Sequence, residues 1–304
     1  GFAPVAQCTE CGESIECARC HVALTYHRGG QEGMRCHYCD YQSPTPDACP
    51  GCGSATVRFE GVGTQRVEES LLEQFPGIRV IRMDVDTTGW KGAHDEFVES
   101  FRRREADVLL GTQMVAKGLD FPGVTLVGVI SADTGLHLPD FRATERSFQL
   151  LTQVAGRSGR GDTPGEVVIQ TYMPTTTVVR SAAAQDYDGF AGTELEDRRA
   201  AGFPPYRRLA LLRWRGLDEG SVSQAALRGV HELARHTSES LLILGPAPAP
   251  LARLRGHYRY QALIQAASVR DLKGAMTRCL DRLRHIAAGQ SVDMTVVVDP
   301  QSTM

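Results

Sequence analysis

Eight of the nine cysteines lie between Cys8 and Cys52, in four pairs of one form: Cys8/Cys11, Cys17/Cys20, Cys36/Cys39 and Cys49/Cys52. A Cys-x-x-Cys turn points two thiolates at one metal, and two such turns close a four-thiolate tetrahedral site. Four turns therefore give two Zn(2+) sites. Disulfides are the competing chemistry, but they suit small secreted domains, and nothing here reads as a secretion signal. Iron in a thiolate cage is the second alternative. Cys17/Cys20 and Cys36/Cys39 are 15 residues apart, a hairpin-sized gap, with Val22 to His27 alternating as a strand and Arg28 to Gly33 as the turn. That leaves Cys8/Cys11 with Cys49/Cys52, a nested arrangement in which no loops cross. A sequential pairing would fold two turns back across the five residues between Cys11 and Cys17. Four thiolates leave no open coordination position, so these sites point to structure rather than catalysis.

Three further clusters could handle phosphate. Gly61-Val62-Gly63-Thr64 opens a helix, where backbone amides and the helix dipole attract anions; its bland alternative is a tight turn with Thr64 as cap. Gly111-Thr112-Gln113-Met114-Val115-Ala116-Lys117-Gly118-Leu119-Asp120-Phe121-Pro122 follows an apolar strand. Gln153-Val154-Ala155-Gly156-Arg157-Ser158-Gly159-Arg160 sets Gln153, Arg157 and Arg160 on one face of a helix end, among small residues that let a polyphosphate approach. A fourth stretch, Arg253 to Tyr260, interleaves Arg253, Arg255 and Arg259 with Tyr258 and Tyr260. It reads as a DNA-contacting loop, or as a connection whose tyrosines pack on a sheet.

The elements that must carry these residues follow from periodicity. From residue 55 strands alternate with amphipathic helices: strands at Val57–Gly61, Ile78–Met83, Asp107–Leu110, Val124–Ile130 and Val167–Tyr172, and helices at Gln65–Phe75, Ala93–Glu105 and Thr144–Val154. That alternation means a parallel sheet, with ligands beyond its strand ends. After Pro204-Pro205 the order is Leu209–Trp214 strand, Ser221–Arg235 helix, Leu241–Leu244 strand, a Pro-rich loop over Gly245–Gly256, Tyr258–Gln265 strand, Val269–Ala287 helix and Val292–Val298 strand. This β-α-β-β-α-β order is ferredoxin-like. Cys279, in line with Leu272, Met276 and Leu283, reads as a core thiol. The expected division is a zinc module over 1–54, an α/β lobe over 55–203 and an α+β domain over 204–304.

Composition narrows the classes. The chain has 304 residues and a formal net charge of −3, which excludes a uniformly basic nucleic-acid binder. The charge is segregated: residues 1–54 carry −3, residues 55–206 carry −6 and residues 207–304 carry +6. A polyanion contact is therefore expected late in the chain. No apolar run approaches the ~18 residues that span a bilayer, so no membrane partner is expected. Gly1 to Gln7 reads as neither a signal nor a transit peptide, and a start at Gly rather than Met is expected of part of a longer protein.

The motifs in combination carry a resemblance. Gln153-x-x-Gly156-Arg157-x-x-Arg160, after Gly111-Thr112-Gln113-Met114-x-x-Lys117-Gly118-x-Asp120-Phe121-Pro122, resembles motifs six and five of superfamily 2 helicases. With the double Cys-x-x-Cys block upstream, the chain is similar to the PriA family of bacterial replication-restart helicases. Asp140-Phe141-Arg142-Ala143-Thr144-Glu145-Arg146, and Gly245-Pro246-x-Pro248-Ala249-Pro250 through Tyr258-Arg259-Tyr260-Gln261, extend the match over essentially the whole chain. The resemblance implies a RecA-like second helicase lobe carrying a double zinc-ribbon module, plus a ferredoxin-like C-terminal domain. It implies that Arg157 and Arg160 are arginine fingers reaching ATP with Mg(2+), with Gln153 beside them. Lys117, Gly118 and Asp120 would couple nucleotide to DNA, and Thr64 and Thr112 would face the DNA backbone. Implied partners are branched and single-stranded DNA, single-stranded DNA-binding protein and other primosome proteins, met in the cytoplasm by a monomer. The sequence departs from the family in one respect: it contains no Gly-Lys dipeptide, so the phosphate-binding loop is absent, as is the acidic magnesium box. The expectation is an ATP-driven 3′–5′ helicase as the parent protein and an inactive motor in this stretch alone. A zinc-containing DNA-bound scaffold without a motor is the alternative, and an iron electron carrier the third reading.

Overall fold

The structure is a computed structural model. It describes residues 7–18, 23–27, 33–36, 39–55, 57–58, 64–84, 87–88, 92–112, 115, 121, 123–156, 165–236 and 241–304. The chain divides into two compact units. One holds residues 1–59, 136–144 and 191–304; the other holds residues 60–135 and 145–190.

In the first unit the cysteine block has little regular structure. β1 (Gln7–Cys8) pairs antiparallel with β5 (Val57–Arg58), while β2 (Thr25–His27), β3 (Gly33–Arg35) and β4 (Gln42–Ser43) form an antiparallel meander. The sequence placed Val57 and Arg58 at the start of the α/β lobe. The structure pairs them antiparallel with Gln7 and Cys8 instead.

The second unit contains α1 (Thr64–Gln74), β6 (Val80–Met83), α2 (Ala93–Arg102), β7 (Val108–Gly111), β8 (Leu126–Val129), most of the one-turn α3 (Asp133–Leu136), most of α4 (Ala143–Ala155), β9 (Glu166–Ile169), α5 (Thr177–Ala184) and the start of α6 (Tyr187–Ala201). β6 pairs parallel with β7, and β8 parallel with β9. Parallel strands separated by helices are the α/β pattern that the alternation predicted. Among the described residues they form two separate two-stranded ribbons rather than one sheet. Met83 and Val98 are buried, with Phe97, Leu109, Val115 and Phe121 against them. Phe148 of α4 stacks on Phe190 with ring centroids 4.0 Å apart.

The C-terminal elements are β10 (Arg208–Gly216), α7 (Glu219–Ala234), β11 (Leu241–Leu254), β12 (His257–Ala266), α8 (Val269–Ala288) and β13 (Asp293–Val298). The sheet order is β11-β12-β10-β13 and every pair is antiparallel, the ferredoxin-like arrangement. Asp218 caps α7 by accepting from the Ser221 amide at 2.8 Å, and Ser268 caps α8 by accepting from Asp271 at 3.1 Å. Leu212, Trp214, Ile264, Leu233, Cys279 and Leu283 fill the core between sheet and helices. The expected Pro-rich loop over 245–256 is not a loop: β11 runs through it to Leu254, with two register shifts. Pro246, Pro248 and Pro250 recur at every second position, so their missing N–H groups share one side of the strand. β11 is an edge strand, and that side needs no donor.

Gly229 explains how α7 lies so close to the sheet. A Cβ there would stand 2.9 Å from the Trp214 ring, which is fully buried. Gly229→Val is therefore expected to cost about 1–3 kcal/mol of stability through overpacking, read as a lowered denaturation midpoint. An unchanged midpoint would show that the indole moves freely.

Candidate metal centres and motor-lobe site

The Cys8/Cys11 and Cys49/Cys52 turns are described throughout and the Cys36/Cys39 turn at its two cysteines, and the three share one pattern of backbone hydrogen bonds. The amide of the first cysteine donates to the carbonyl five residues on: Cys8 to Glu13 (2.9 Å), Cys36 to Tyr41 (2.8 Å) and Cys49 to Ser54 (2.7 Å). The residue after the second cysteine donates back to the first: Gly12 to Cys8 (2.9 Å), Asp40 to Cys36 (3.0 Å) and Gly53 to Cys49 (2.9 Å). That residue is left-handed each time, with φ of 75° at Gly12, 61° at Asp40 and 75° at Gly53. Glycine and aspartate tolerate this conformation. The recurring Cys-Gly was a sequence signal that the spacing argument did not use.

Cys8, Cys11, Cys49 and Cys52 come together with every Sγ within 4.8 Å of the others. Cys8 and Cys52 are 3.6 Å apart, as are Cys11 and Cys49. Cys17, Cys36 and Cys39 form the second group, with Cys17 and Cys39 at 3.6 Å; Cys20 lies outside the described residues. The nested grouping is thus the one adopted. A tetrahedron with ~2.3 Å metal–sulfur bonds places its sulfurs about 3.8 Å apart, whereas a disulfide needs ~2.05 Å. The donor set and spacing fit zinc.

The thiols alone make the same point electrostatically. Burial works to raise Cys8, but the backbone amides of Cys11 and Glu10 and the neighbouring thiols bring it down to about 6. At Cys11 the Glu13 backbone lowers the thiol, yet burial and the thiols of Cys52, Cys49 and Cys8 push it up to about 12. One site cannot hold several thiolates without a cation among them.

The two groups differ in surroundings. Cys52 is exposed and Cys11 half-buried. Cys17 and Cys36 have 0% exposure and sit in an apolar cluster with Leu24, Met34, Phe203, Leu209, Leu211 and Leu263. That cluster lies on the face of the C-terminal sheet opposite its helices, because Leu209 and Leu211 alternate with Ala210 and Leu212 along β10.

In the α/β unit, Thr64 begins α1 and its hydroxyl donates to Asp84 at 2.8 Å. Asp84, just after β6, also accepts from the Thr87 amide at 3.0 Å and lies 3.2 Å from the Arg82 guanidinium. Asp84 was missed in the sequence, although a buried aspartate directly after an apolar strand is a recognisable signal. Gly111 ends β7, where a Cβ would stand 2.6 Å from the Met83 carbonyl, and Thr112 follows, exposed. Gln153 is exposed on α4. Lys117, Gly118, Asp120, Arg157 and Arg160 lie outside the described residues.

The basic stretch forms a hairpin. Arg255 and Gly256, with φ of 50° and 80°, make a two-residue turn between β11 and β12. Arg253 lies 5.1 Å over the Tyr258 ring, which packs against the helix-side core. Arg255 is exposed, and Arg259 donates to the Leu251 carbonyl at 3.3 Å. The Asp140 motif acts as a bracket. Asp140 is buried and accepts from the Arg142 amide (2.9 Å), the Ser302 hydroxyl (2.6 Å) and the Thr303 amide (3.1 Å), while Phe141 stacks on Phe203 at 5.2 Å.

Comparison with known proteins adds a family context. Residues 17–44 match the PriA DNA helicase Cys-rich region domain, residues 56–162 the helicase conserved C-terminal domain, and residues 199–301 the primosomal protein N C-terminal domain. The chain is similar to proteins named replication restart protein PriA: at 43% identity in Bacillus subtilis (strain 168), covering 100% of this chain and 38% of the relative; at 44% in Synechocystis, covering 99% and 36%; and at 40% in Treponema pallidum, covering 100% and 46%. The chain thus spans less than half the length of these relatives.

The different surroundings of the thiol groups predict unequal metal release. With a colorimetric chelator, about one equivalent of zinc should leave quickly, from the group that includes exposed Cys52, with the near-ultraviolet dichroism intact. The second should leave slowly and together with that signal. Release of both in one phase would contradict the assignment.

Proposed function

The chain belongs to the PriA family of replication restart proteins, and we propose on that premise that it is the C-terminal part of an ATP-dependent 3′–5′ DNA helicase. The parent protein recognises stalled or branched replication forks and starts primosome assembly. What carries this reading is continuous similarity through the cysteine block, the helicase C-terminal domain and the terminal domain, joined to a thiol geometry that suits zinc.

In this reading the division falls at 1–54, 55–203 and 204–304. The ligands of one zinc are Cys8, Cys11, Cys49 and Cys52, and those of the other are Cys17, Cys20, Cys36 and Cys39. The zincs hold backbone and do no chemistry on substrate. Arg157 and Arg160, following α4, stabilise charge developing on the transferred phosphoryl group, with Gln153 beside them. Lys117, Gly118 and Asp120 link nucleotide to DNA, while Thr64, Thr112 and the hairpin of Arg253, Arg255, Tyr258 and Arg259 meet DNA. Asp84 then acts as a positioning residue for Thr64. Among the described residues no helix is long and apolar enough to cross a membrane, and the protein works in the cytoplasm as a monomer. Its partners are branched and single-stranded DNA, single-stranded DNA-binding protein and primosome proteins.

An arginine raises phosphoryl-transfer rate by ~10³ or more only where another element positions the nucleotide. This chain, with no Gly-Lys dipeptide, should therefore hydrolyse no ATP in response to DNA. In the longer parent protein, Arg160→Ala should remove most DNA-stimulated ATPase activity while oligonucleotide binding persists. DNA-stimulated turnover by the 304-residue chain, or full activity of the variant parent, would overturn the assignment.

A further inference from the structure

The sheet face opposite α7 and α8 changes character along its length. Where Leu209, Leu211 and Leu263 stand, it is covered by the cysteine ribbon. Two residues further along β10 it becomes a row of arginines. Arg213 pairs across with Gln261, and Arg215 directly with Arg259. Successive members on one strand stand about 7 Å apart. Like charges directly opposite in a sheet are destabilising. Among the described residues neither Arg215 nor Arg259 lies within ion-pair distance of a carboxylate; Asp293, the other cross-strand neighbour of Arg215, makes no ion pair with it. Arg213 donates to an oxygen of Met304, which in the 304-residue chain is part of a carboxylate, and its Nε is buried without a partner. Arg259 donates to Leu251. His257 Nδ1 lies 3.0 Å from the Arg255 carbonyl and can donate to it, which leaves Nε2 to accept from Arg215 at 3.4 Å. His257 is thus a positioning residue for Arg215. Burial, and then the like charge of Arg259 on Arg213 and of Arg215 on Arg259, hold both guanidinium groups below their ordinary range.

We propose that Arg215 and Arg259 form a binding site for the phosphodiester backbone of nucleic acid on the open part of this sheet face. The inference rests on the DNA-acting reading above and moves the principal contact from the hairpin tip to the sheet. Two planar forks side by side, neither within ion-pair distance of a carboxylate among the described residues, suit neighbouring phosphate oxygens. Tyr258, on the other face with the helices, has no part in it.

The test uses the whole chain, a fluorescein-labelled single-stranded oligonucleotide and anisotropy at several salt concentrations. Arg215→Ala/Arg259→Ala should flatten the slope of log affinity against log salt by about 1.5 units, since each lost phosphate contact removes roughly 0.7–0.9. Arg270→Ala/Lys273→Ala, which removes the same charge from exposed positions on α8, should leave the slope nearly unchanged. Arg215→Lys/Arg259→Lys should keep most of it, because the slope counts charges. Equal slopes for the sheet-face alanine pair and the unaltered chain would overturn the site while leaving the DNA reading standing. So would equal losses in the alanine and lysine pairs, or in the α8 control. No binding by the unaltered chain would overturn both.

Discussion

The second face of the C-terminal sheet has to be covered, and most of the first unit is organised around that need. β10 is apolar on both sides, so Leu209 and Leu211 would meet water once α7 and α8 had covered Ala210, Leu212 and Trp214. The cover is a ribbon with strands of two or three residues, far too small to bury a core of its own. Thiol–metal bonds supply what the ribbon lacks in apolar area. Their ligands Cys17 and Cys36 also act as apolar packing, standing beside Leu24 and Met34 against the sheet. Metal site and hydrophobic contact are therefore one interaction: each fixes the geometry that the other needs.

How much of this the sequence announced depended on the range of each interaction. The nested cysteine pairing followed from loop lengths alone. The order of the C-terminal elements followed from local periodicity, and the sheet order is the one that this element order implies. Both are set by neighbours close in sequence. The Pro-rich stretch misled because prolines are read as breakers, while an edge strand accepts them at alternate positions. The bracket at Asp140 was illegible for another reason. Its partners Ser302 and Thr303 lie some 160 residues away, and no local pattern marks an aspartate that will accept bonds from residues so distant. Val57 and Arg58 were assigned by continuity to the lobe that follows them, when their ladder partners lie fifty residues earlier.

In the candidate motor site the sequence identified chemistry more readily than support. Thr64 stood out as a residue able to meet phosphate, but its partner Asp84 did not, because its role depends on β6 ending beside the start of α1. Gly111 looked like one member of a polar turn. Its geometry gives a more specific reason: β7 and β6 approach so closely there that the Met83 carbonyl leaves no room for a side chain. Thr112 is thereby held at the end of a strand whose position is fixed by backbone contact.

Charge follows the same logic of support and exposure. The surplus of positive charge after residue 206 is not spread evenly. On α7 and α8 several cations are tied to acids, as Arg282 and Arg235 are to Glu232. On the sheet face Arg259 is tied to the Leu251 carbonyl and Arg215 to the His257 ring, with no carboxylate within ion-pair distance of either among the described residues. Setting Arg215 opposite Arg259 has an energetic cost, and a strand interior could hold threonine or valine there more cheaply. The extensive core beneath Trp214 and Leu283 can offset that cost. A fold stable enough to carry these opposed arginines on one end of its sheet, and a metal-stapled cover on the other, leaves that end free for a ligand that brings its own negative charge.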